Sequence, residues 1–513
     1  MLLKTTFMIN FTKMKKQILL ILMSAPLLLL HSCSKIAPEN HAIVETTTNN
    51  LILDSNTIVL SDAIKIASAF LQEISHSSSA ITIKSALTIT KNGKPYLHVV
   101  NTNNNAGFVI LSADSIYTPI LAYNTNGNFN LDKKDINGGL AKWVNAHGKS
   151  LDYVRANKSP YLDSIAFTNK NRWRELGYKY NLSTSKINST QQGIRPHTMS
   201  VPVQTTWDLI SIVTSYLPPI GPLTKVNYNQ VWPYNDDCPQ IPNWVSDPFD
   251  THGRWLAGCG PVAIAQIMNY WNIPSTGRYD WSQMKDLNGG GIHFIPMLLA
   301  DIGSTKLSGV GNILSFYGGL NWSGGTFAQY GAGPFSIIHN VNETFADDYY
   351  APYVFGNFGY SSASRTTTIT DQLANPINGI AYGSLLASEV LDNNRPCMIT
   401  ATTGQNNLGL GLLYLPYADF HTWICEGDQR WTTVFTYQLT HYDPMGGIAN
   451  IQTSYSYSFI DYLYMNWGWG GKDNGFFYNS NINYTQPYQD AATPDPNNVP
   501  FLDFQTVVYN IHP

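Results

Sequence analysis

One cysteine stands where a helix is expected to begin. Cys259 follows small residues at 257–258 and precedes Gly260 and Pro261, and the pattern then predicts a helix over 260–271. Proline is tolerated in a first helical turn, so Cys259 is expected at the helix N-terminus. Unpaired N–H groups and the positive end of the helix dipole favour a thiolate there. The alternative is an inert cysteine that opens a core helix.

A nucleophilic cysteine needs a base within hydrogen-bond reach. The sequence has 12 histidines, and His421 is the best candidate because it opens a strand-like run, 420–426, that ends at Gly427. A base on a rigid strand is better positioned than a base on a loop. The alternative is a structural or surface histidine.

A third segment combines tryptophan, glycine and asparagine. Trp467 and Trp469 alternate with glycines and directly follow Asn466. Two such indole rings can exclude water and fix an imidazole ring, and the Asn466 amide could hydrogen-bond to that ring. The alternative is an aromatic corner of the core.

The composition excludes several classes of protein. The chain has 513 residues, 43% of them hydrophobic, which is enough for a buried core. Only 12% are charged, the net charge is −4, and no basic block occurs, so nucleic acid is not the expected partner. Five cysteines without CxxC spacing favour neither a disulfide scaffold nor a zinc ribbon, and no ligand pattern predicts a metal site. Cys238, Cys397 and Cys425 are interpreted as structural, with a disulfide between two of them left open.

The N-terminus is typical of an export signal. Lys13, Lys15 and Lys16 precede an apolar run over 18–30, which is too short to cross a membrane. The run leads to Cys33 in a lipoprotein-like context, so cleavage before Cys33 and lipidation of its thiol are predicted. The alternative is an ordinary signal peptide with an incidental cysteine.

The rest of the chain divides into two patterned regions. Residues 61–74 predict a helix with Ser61 as N-cap, followed by strands over 96–100, 107–112 and 119–123 and a helix over 140–154. Residues 157–203 lose this pattern and are rich in Lys, Arg, Asn, Ser and Thr, which indicates a solvated linker open to proteolysis. From about 205 onward, a more helical half leads into a strand-rich half, which predicts one α+β domain.

Together these segments resemble the streptopain family, the bacterial papain-like cysteine peptidases made as zymogens. The resemblance is carried by Gly258-Cys259 with residues 265–268, by His421 with residues 422–424, and by residues 466–471. Residues 230–235 and 395–397 add to it, and residues 107–114 resemble the inhibitory pro-domain of the family. Longer gaps between the blocks imply insertions near 303–326 and 428–460.

The resemblance implies a role for each matching residue. Cys259 is the nucleophile, and His421 is its general base and then the acid for the leaving amine. Gln230 occupies the place of the oxyanion-hole glutamine. Trp467 and Trp469 shield and orient His421, and either Asn466 or Trp467 takes the third-residue role.

The resemblance also implies a fold and a domain order. The expected fold is α+β: a papain-like domain with a helical half and an antiparallel β half, over 204–513, behind a small α+β pro-domain over 56–156. A signal peptide (1–32), a tether (33–55) and a linker cleaved on activation (157–203) complete the chain.

The function expected is that of a surface-anchored or secreted cysteine endopeptidase that needs no cofactor. Its expected partners are protein or peptide substrates, its own pro-domain, and the membrane through a lipid on Cys33. Two alternatives remain: a Cys-His amidase or transglutaminase on the same fold, and a non-catalytic, adhesin-like surface protein.

Overall fold

The computed structural model describes residues 54–130, 138–180, 205–241, 244, 251–275, 277–305, 328–331, 343–346, 350–367, 381–402, 420–442, 448–478 and 505–513. The described helices are α1 (Leu60–Ile74), α2 (Gly138–Ala156), α3 (Pro160–Lys179), α4 (Cys259–Trp271), α5 (Gly291–Gly303), α6 (Ala351–Asn357) and α7 (Ala381–Leu391). The described strands are β1 (Ile83–Lys91), β2 (Lys94–Thr102), β3 (Phe108–Ser112), β4 (Ile120–Asn124), β5 (Thr205–Tyr216), β6 (Ala328–Gly331), β7 (Glu343–Ala346), β8 (Ser362–Thr367), β9 (Cys397–Thr402), β10 (Phe420–Tyr442), β11 (Ile448–Asn466), β12 (Gly475–Tyr478) and β13 (Gln505–His512).

The N-terminal unit is a four-stranded antiparallel meander with α1 packed on it. The buried side chains of α1, among them Ile66 and Phe70, recur every three to four residues, which gives the helix one apolar face. The helix begins at Leu60 after Val59, so the prediction of Ser61 as N-cap is wrong by two residues. The predicted strands and the helix over 140–154 are confirmed within a few residues at each end.

A helix occupies much of the predicted linker. Ser159 caps α3 by accepting a hydrogen bond from the Leu162 N–H at 3.2 Å, and Pro160 stands in the first turn. The Trp173 side chain on α3 is fully buried, and its indole N–H donates to the Tyr117 carbonyl at 3.0 Å. The prediction of an unpatterned linker over 157–203 is therefore wrong for residues 160–179, because one buried tryptophan and good capping outweigh a polar composition. Residues 181–203 lie outside the described residues.

The C-terminal unit consists of helices packed on a sheet that is continuous with the strands β1–β4 of the N-terminal unit. The sheet order is β1-β2-β3-β4-β12-β11-β10-β9-β13-β8, all neighbours are antiparallel, and β5 pairs with β10. Helix α4 contacts β10 and β9, and α5 and α6 contact α4. The predicted α+β class is thus confirmed.

The join between the two units lies at β4 and β12. Phe476 and Phe477 of β12 pair with Tyr123 and Ala122 of β4. The Tyr462 hydroxyl adds a hydrogen bond to the Ile120 carbonyl at 2.9 Å. One continuous sheet therefore runs from the N-terminal unit into the C-terminal one.

The predicted insertion near 428–460 forms most of a long hairpin of β10 and β11. On one face of this hairpin Ile451, Tyr455, Tyr457 and Phe459 are 52–62% exposed. On the opposite face, α3 reaches β11 at Ser458, whose hydroxyl accepts a hydrogen bond from Arg172 at 2.7 Å. The other predicted insertion, near 303–326, lies mostly outside the described residues. Among the helices that the structure describes, none is long and apolar enough to cross a membrane.

Candidate active site

Cys259 is the first residue of α4, as predicted. Gly258 precedes the helix with φ 90°, and the Val262 N–H closes the first turn onto the Gly258 carbonyl at 3.1 Å. Gly258 offers no side-chain cap, so the first N–H groups of the helix are available to a charged group near Cys259. Cys259 is 4% exposed. Its sulfur is disulfide-bonded in this structure, so this form must be reduced before Cys259 can act as a nucleophile.

His421 lies near the start of β10 and is 4% exposed. Its Nε2 lies 2.9 Å from the Trp467 carbonyl oxygen, so Nε2 carries the proton and donates it to that oxygen. The ring also stacks on Trp469 and Trp423, with centroids 6.4 and 5.8 Å away. The neutral tautomer fixed in this way leaves Nδ1 as the proton acceptor.

The turn 467–471 connects the two candidate catalytic residues. A Cβ on Gly468 would stand 3.1 Å from Cγ1 of Val262, one turn along α4 from Cys259. Gly468 has φ 73°, a conformation that glycine adopts without strain, so glycine lets the turn approach the helix this closely. The same turn thus touches the first turn of α4 through Gly468 and the His421 ring through Trp467, which places Cys259 and His421 at one site.

Gln230 contacts the segment that leads into α4 and Cys259. Its carbonyl accepts a hydrogen bond from the Ala257 N–H at 2.9 Å, two residues before Cys259. The Gln230 side chain is fully buried, and neither its amide oxygen nor its amide nitrogen has a hydrogen-bond partner within the described part of the chain. A buried amide without partners costs about 1–3 kcal/mol, which is typical of a group kept for a ligand or transition state.

Asn466 and Trp467 have different positions in the site. The Asn466 amide donates to the Val226 carbonyl at 2.9 Å and to Glu426 Oε1 at 2.8 Å, and Asn466 Oδ1 accepts from the Gly468 N–H at 3.3 Å. The backbone carbonyl of Trp467, by contrast, contacts the imidazole directly. Of the two residues predicted for the third role, Trp467 is the one that contacts the His421 ring, whereas Asn466 contacts the turn at Gly468.

Burial sets the proton affinity of the base. It lowers the pKa of His421 to about 4, and the hydrogen bond to Trp467 opposes this shift. An imidazole in this pocket is neutral at pH 7 unless an anion stands next to it, and a thiolate on Cys259 is such an anion.

Sequence reasoning missed two features of this site. One is the Trp467 carbonyl, which is a backbone group and leaves no signal in the side-chain pattern. The other is Glu426, a carboxylate that is 1% exposed and lies five residues after His421. An acidic residue that ends a buried apolar strand was the available signal.

The three remaining cysteines are buried, and none of them forms a disulfide. Cys397 and Cys425 lie directly opposite each other on β9 and β10, and burial raises the pKa of both thiols. No group of three His, Cys, Asp or Glu residues in the described ranges could hold a metal ion.

Two known protein families match parts of this chain. Residues 228–477 match the Peptidase C10 family, and residues 55–150 match the Spi protease inhibitor family. Streptopain of Streptococcus pyogenes is 27% identical over 225 residues, and streptopain of serotype M1 gives the same values. The aligned part is 44% of this chain and 44% of streptopain, so the chain matches less than half the length of these relatives.

A solved structure of a prointerpain A fragment from Prevotella intermedia is similar at 16% identity and a TM-score of 0.42. The match covers 85% of this chain and 99% of that one. The two family matches divide the chain into an N-terminal inhibitor unit and a peptidase unit that contains Cys259, His421 and the turn 467–471. Residues 228–477 therefore form a peptidase unit of the streptopain (C10) family of cysteine peptidases, and residues 55–150 form an N-terminal pro-domain of the Spi protease-inhibitor type.

Proposed function

We propose that this chain is the zymogen of a cysteine endopeptidase whose nucleophile is Cys259. The observation that carries the proposal is the turn 467–471, which contacts the first turn of α4 through Gly468 and fixes the His421 tautomer through the Trp467 carbonyl. A thiol at a helix N-terminus beside an imidazole whose Nδ1 accepts a proton is the arrangement that acyl transfer through a thioester requires.

The reaction follows from these positions. His421 Nδ1 takes the proton of Cys259, and the sulfur attacks the carbonyl carbon of a peptide bond. The Gln230 amide and the Cys259 N–H donate to the oxygen that becomes negative, and one such donor contributes roughly 3–4 kcal/mol. His421 then protonates the leaving amine, and an acyl-enzyme remains. Water, deprotonated by His421, hydrolyses the thioester and restores the thiol.

The N-terminal unit is proposed as the inhibitor of this site. Cys259 and His421 are each 4% exposed and Gln230 is fully buried, so a protein substrate has no access in the form described. The pro-domain helix α2 contacts β9 and β10, and its Trp143 ring packs edge-on against Phe477, with centroids 5.0 Å apart. Phe477 in turn packs on Trp467 at 5.2 Å. Removal of the pro-domain would therefore change the surroundings of the turn that orients His421.

Activation is proposed to need cleavage between the two units. The buried Trp173 makes α3 a poor protease substrate, so the proposed cleavage falls in the rest of the segment 157–203. The substrates would be proteins or peptides. Export with a lipid on Cys33 is proposed on the signal-like sequence alone, and metabolic labelling with a fatty acid in the parent and in Cys33→Ala would test it.

The test of the proposal compares the reduced full-length chain with its Cys259→Ala variant. We expect only the parent to convert to a smaller form and to hydrolyse casein. Equal processing and hydrolysis by both proteins would contradict the proposal. Labelling of Cys259 by a covalent peptide-type inhibitor without hydrolysis of casein would favour the amidase or transglutaminase alternative. Absence of both processing and hydrolysis in the two proteins would favour a non-catalytic surface protein.

A further inference from the structure

Glu426 lies at an irregularity in β10 close to the proposed site. The pairing of β10 with β11 shifts between Cys425 and Gly427, so Glu426 has no opposite residue on β11. Such bulges redirect a side chain and are common beside active sites. Glu426 is 1% exposed, and it belongs to none of the roles assigned above.

The Glu426 carboxylate joins two segments of the site. Oε1 accepts from the Asn466 amide at 2.8 Å, and Oε2 accepts from the Thr224 N–H at 2.7 Å. The Glu426 carbonyl also accepts from the Leu223 N–H at 2.9 Å. Both carboxylate oxygens thus face donors, which favours the ionised form and opposes burial, the cause that raises the pKa of Glu426 to about 7.

Each of these contacts leads to a reacting group. On one side, Asn466 immediately precedes Trp467 and accepts the Gly468 N–H, so it holds the start of the turn whose carbonyl orients His421. On the other side, Thr224 begins the segment that leads to Gln230. That segment is tied to the same turn, because the Gly470 N–H donates to the Tyr228 carbonyl at 2.9 Å.

We infer that Glu426 is a positioning residue for peptide-bond hydrolysis: its carboxylate fixes the Trp467 carbonyl against His421 and, through residues 224–230, the Gln230 amide beside Cys259. The inference rests on the proposed peptidase function. Glu426 touches neither substrate nor the sulfur, so its loss should lower the rate of the chemical step more than the binding of substrate.

Glu426→Gln is the sharpest substitution. The glutamine has the same shape, but its NH₂ group must face one of the two donors, so one hydrogen bond is lost and replaced by a donor–donor contact. We expect kcat for a fluorogenic peptide to fall at least 10-fold in the processed, reduced enzyme, with KM changed less than 3-fold. Glu426→Asp keeps the charge and should recover part of that loss.

Glu389→Gln is the matched control. Glu389 is 7% exposed and also accepts a backbone N–H, that of Asn510 at 3.0 Å. It lies on α7, however, which carries none of the residues of the candidate site. This variant should lose stability to urea much as Glu426→Gln does and keep kcat within about 2-fold. If Glu426→Gln does not fold, Glu426→Asp and Asn466→Ala are measured singly and together. If Glu426 and Asn466 act together through their hydrogen bond, kcat of the double variant should fall by less than the product of the two single losses.

The outcomes separate the inference from the proposed function. A Glu426→Gln enzyme with parental kcat, or one whose kcat falls no further than that of Glu389→Gln, would overturn the inference while Cys259→Ala remains inactive. If Glu426→Gln does not fold, the test is the double variant of Glu426→Asp and Asn466→Ala. A loss of kcat in that variant equal to the product of the two single losses would overturn the inference as well. Hydrolysis by Cys259→Ala would instead overturn the function on which the inference rests.

Discussion

The close contact between Gly468 and α4 offers a quantitative test of the site. In Gly468→Ala the new Cβ stands 3.1 Å from Val262 Cγ1, whereas carbon atoms in contact prefer roughly 3.5–4.0 Å. The turn and the helix must therefore separate by about 0.4–0.9 Å. Alanine at φ 73° also costs about 1–2 kcal/mol of stability. Because a misplacement of about 1 Å can cost about 100-fold in rate, we expect kcat/KM to fall about 10- to 100-fold.

Gly359→Ala separates this geometric effect from backbone strain. Gly359 has φ 91° in the same domain, but no atom of the described residues lies within 4 Å of the position that a Cβ would take there. Gly359→Ala therefore has the backbone strain of alanine at positive φ without a close contact such as that between Gly468→Ala and Val262. Urea unfolding should show similar destabilisation of the two variants, while peptide hydrolysis falls only in Gly468→Ala. Adding Val262→Ala should return much of the lost activity, and equal activity of Gly468→Ala and Gly359→Ala would refute the role of the turn.

Three further predictions concern buried polar groups. In Cys259→Ala, NMR titration of His421 should give a pKa of about 4, because burial disfavours the imidazolium and no thiolate offsets it; a value near 6.5 would contradict this. Since the unfolded histidine binds its proton near pH 6.5, this residue should lower the unfolding free energy by about 1.4 kcal/mol per pH unit as pH falls from 6.5 to 4. Gln230→Leu should lower kcat about 100-fold or more without loss of stability to urea, because it removes an unpartnered buried amide; parental kcat would argue against an oxyanion role. Burial, aided by the charge of Asp461, raises the pKa of Asp428 to about 8, so the parent should lose stability as pH rises from 4 to 8. Asp428→Asn should remove that loss. A difference in unfolding free energy between the parent and Asp428→Asn that is the same at pH 5 and pH 8 would count against this prediction.

The main elements were predictable because their signals are local. Pro261 and the small residues around Cys259 predicted a helix start, and the apolar spacing of α1 predicted its buried face. The α3 helix was not predictable from composition. Its stability depends on the burial of Trp173 against residues distant in sequence.

The candidate site was likewise predictable in part. Cys259, His421 and Gln230 were identified from residue type and family resemblance. The orienting carbonyl of Trp467 and the bulge that directs Glu426 toward Asn466 depend on backbone geometry and strand register. Neither property follows from residue identity, so the sequence could name the reacting groups but not the groups that hold them.

The pH dependence of Cys259 alkylation tests the central claim most directly. Iodoacetamide reacts with the thiolate, so its rate at Cys259, followed by mass spectrometry in the reduced and processed enzyme, reports the thiol pKa. Pairing with His421 predicts rapid alkylation well below pH 8.5 in the parent and a shift toward or above that value in His421→Ala. Identical profiles in the two proteins would contradict the account.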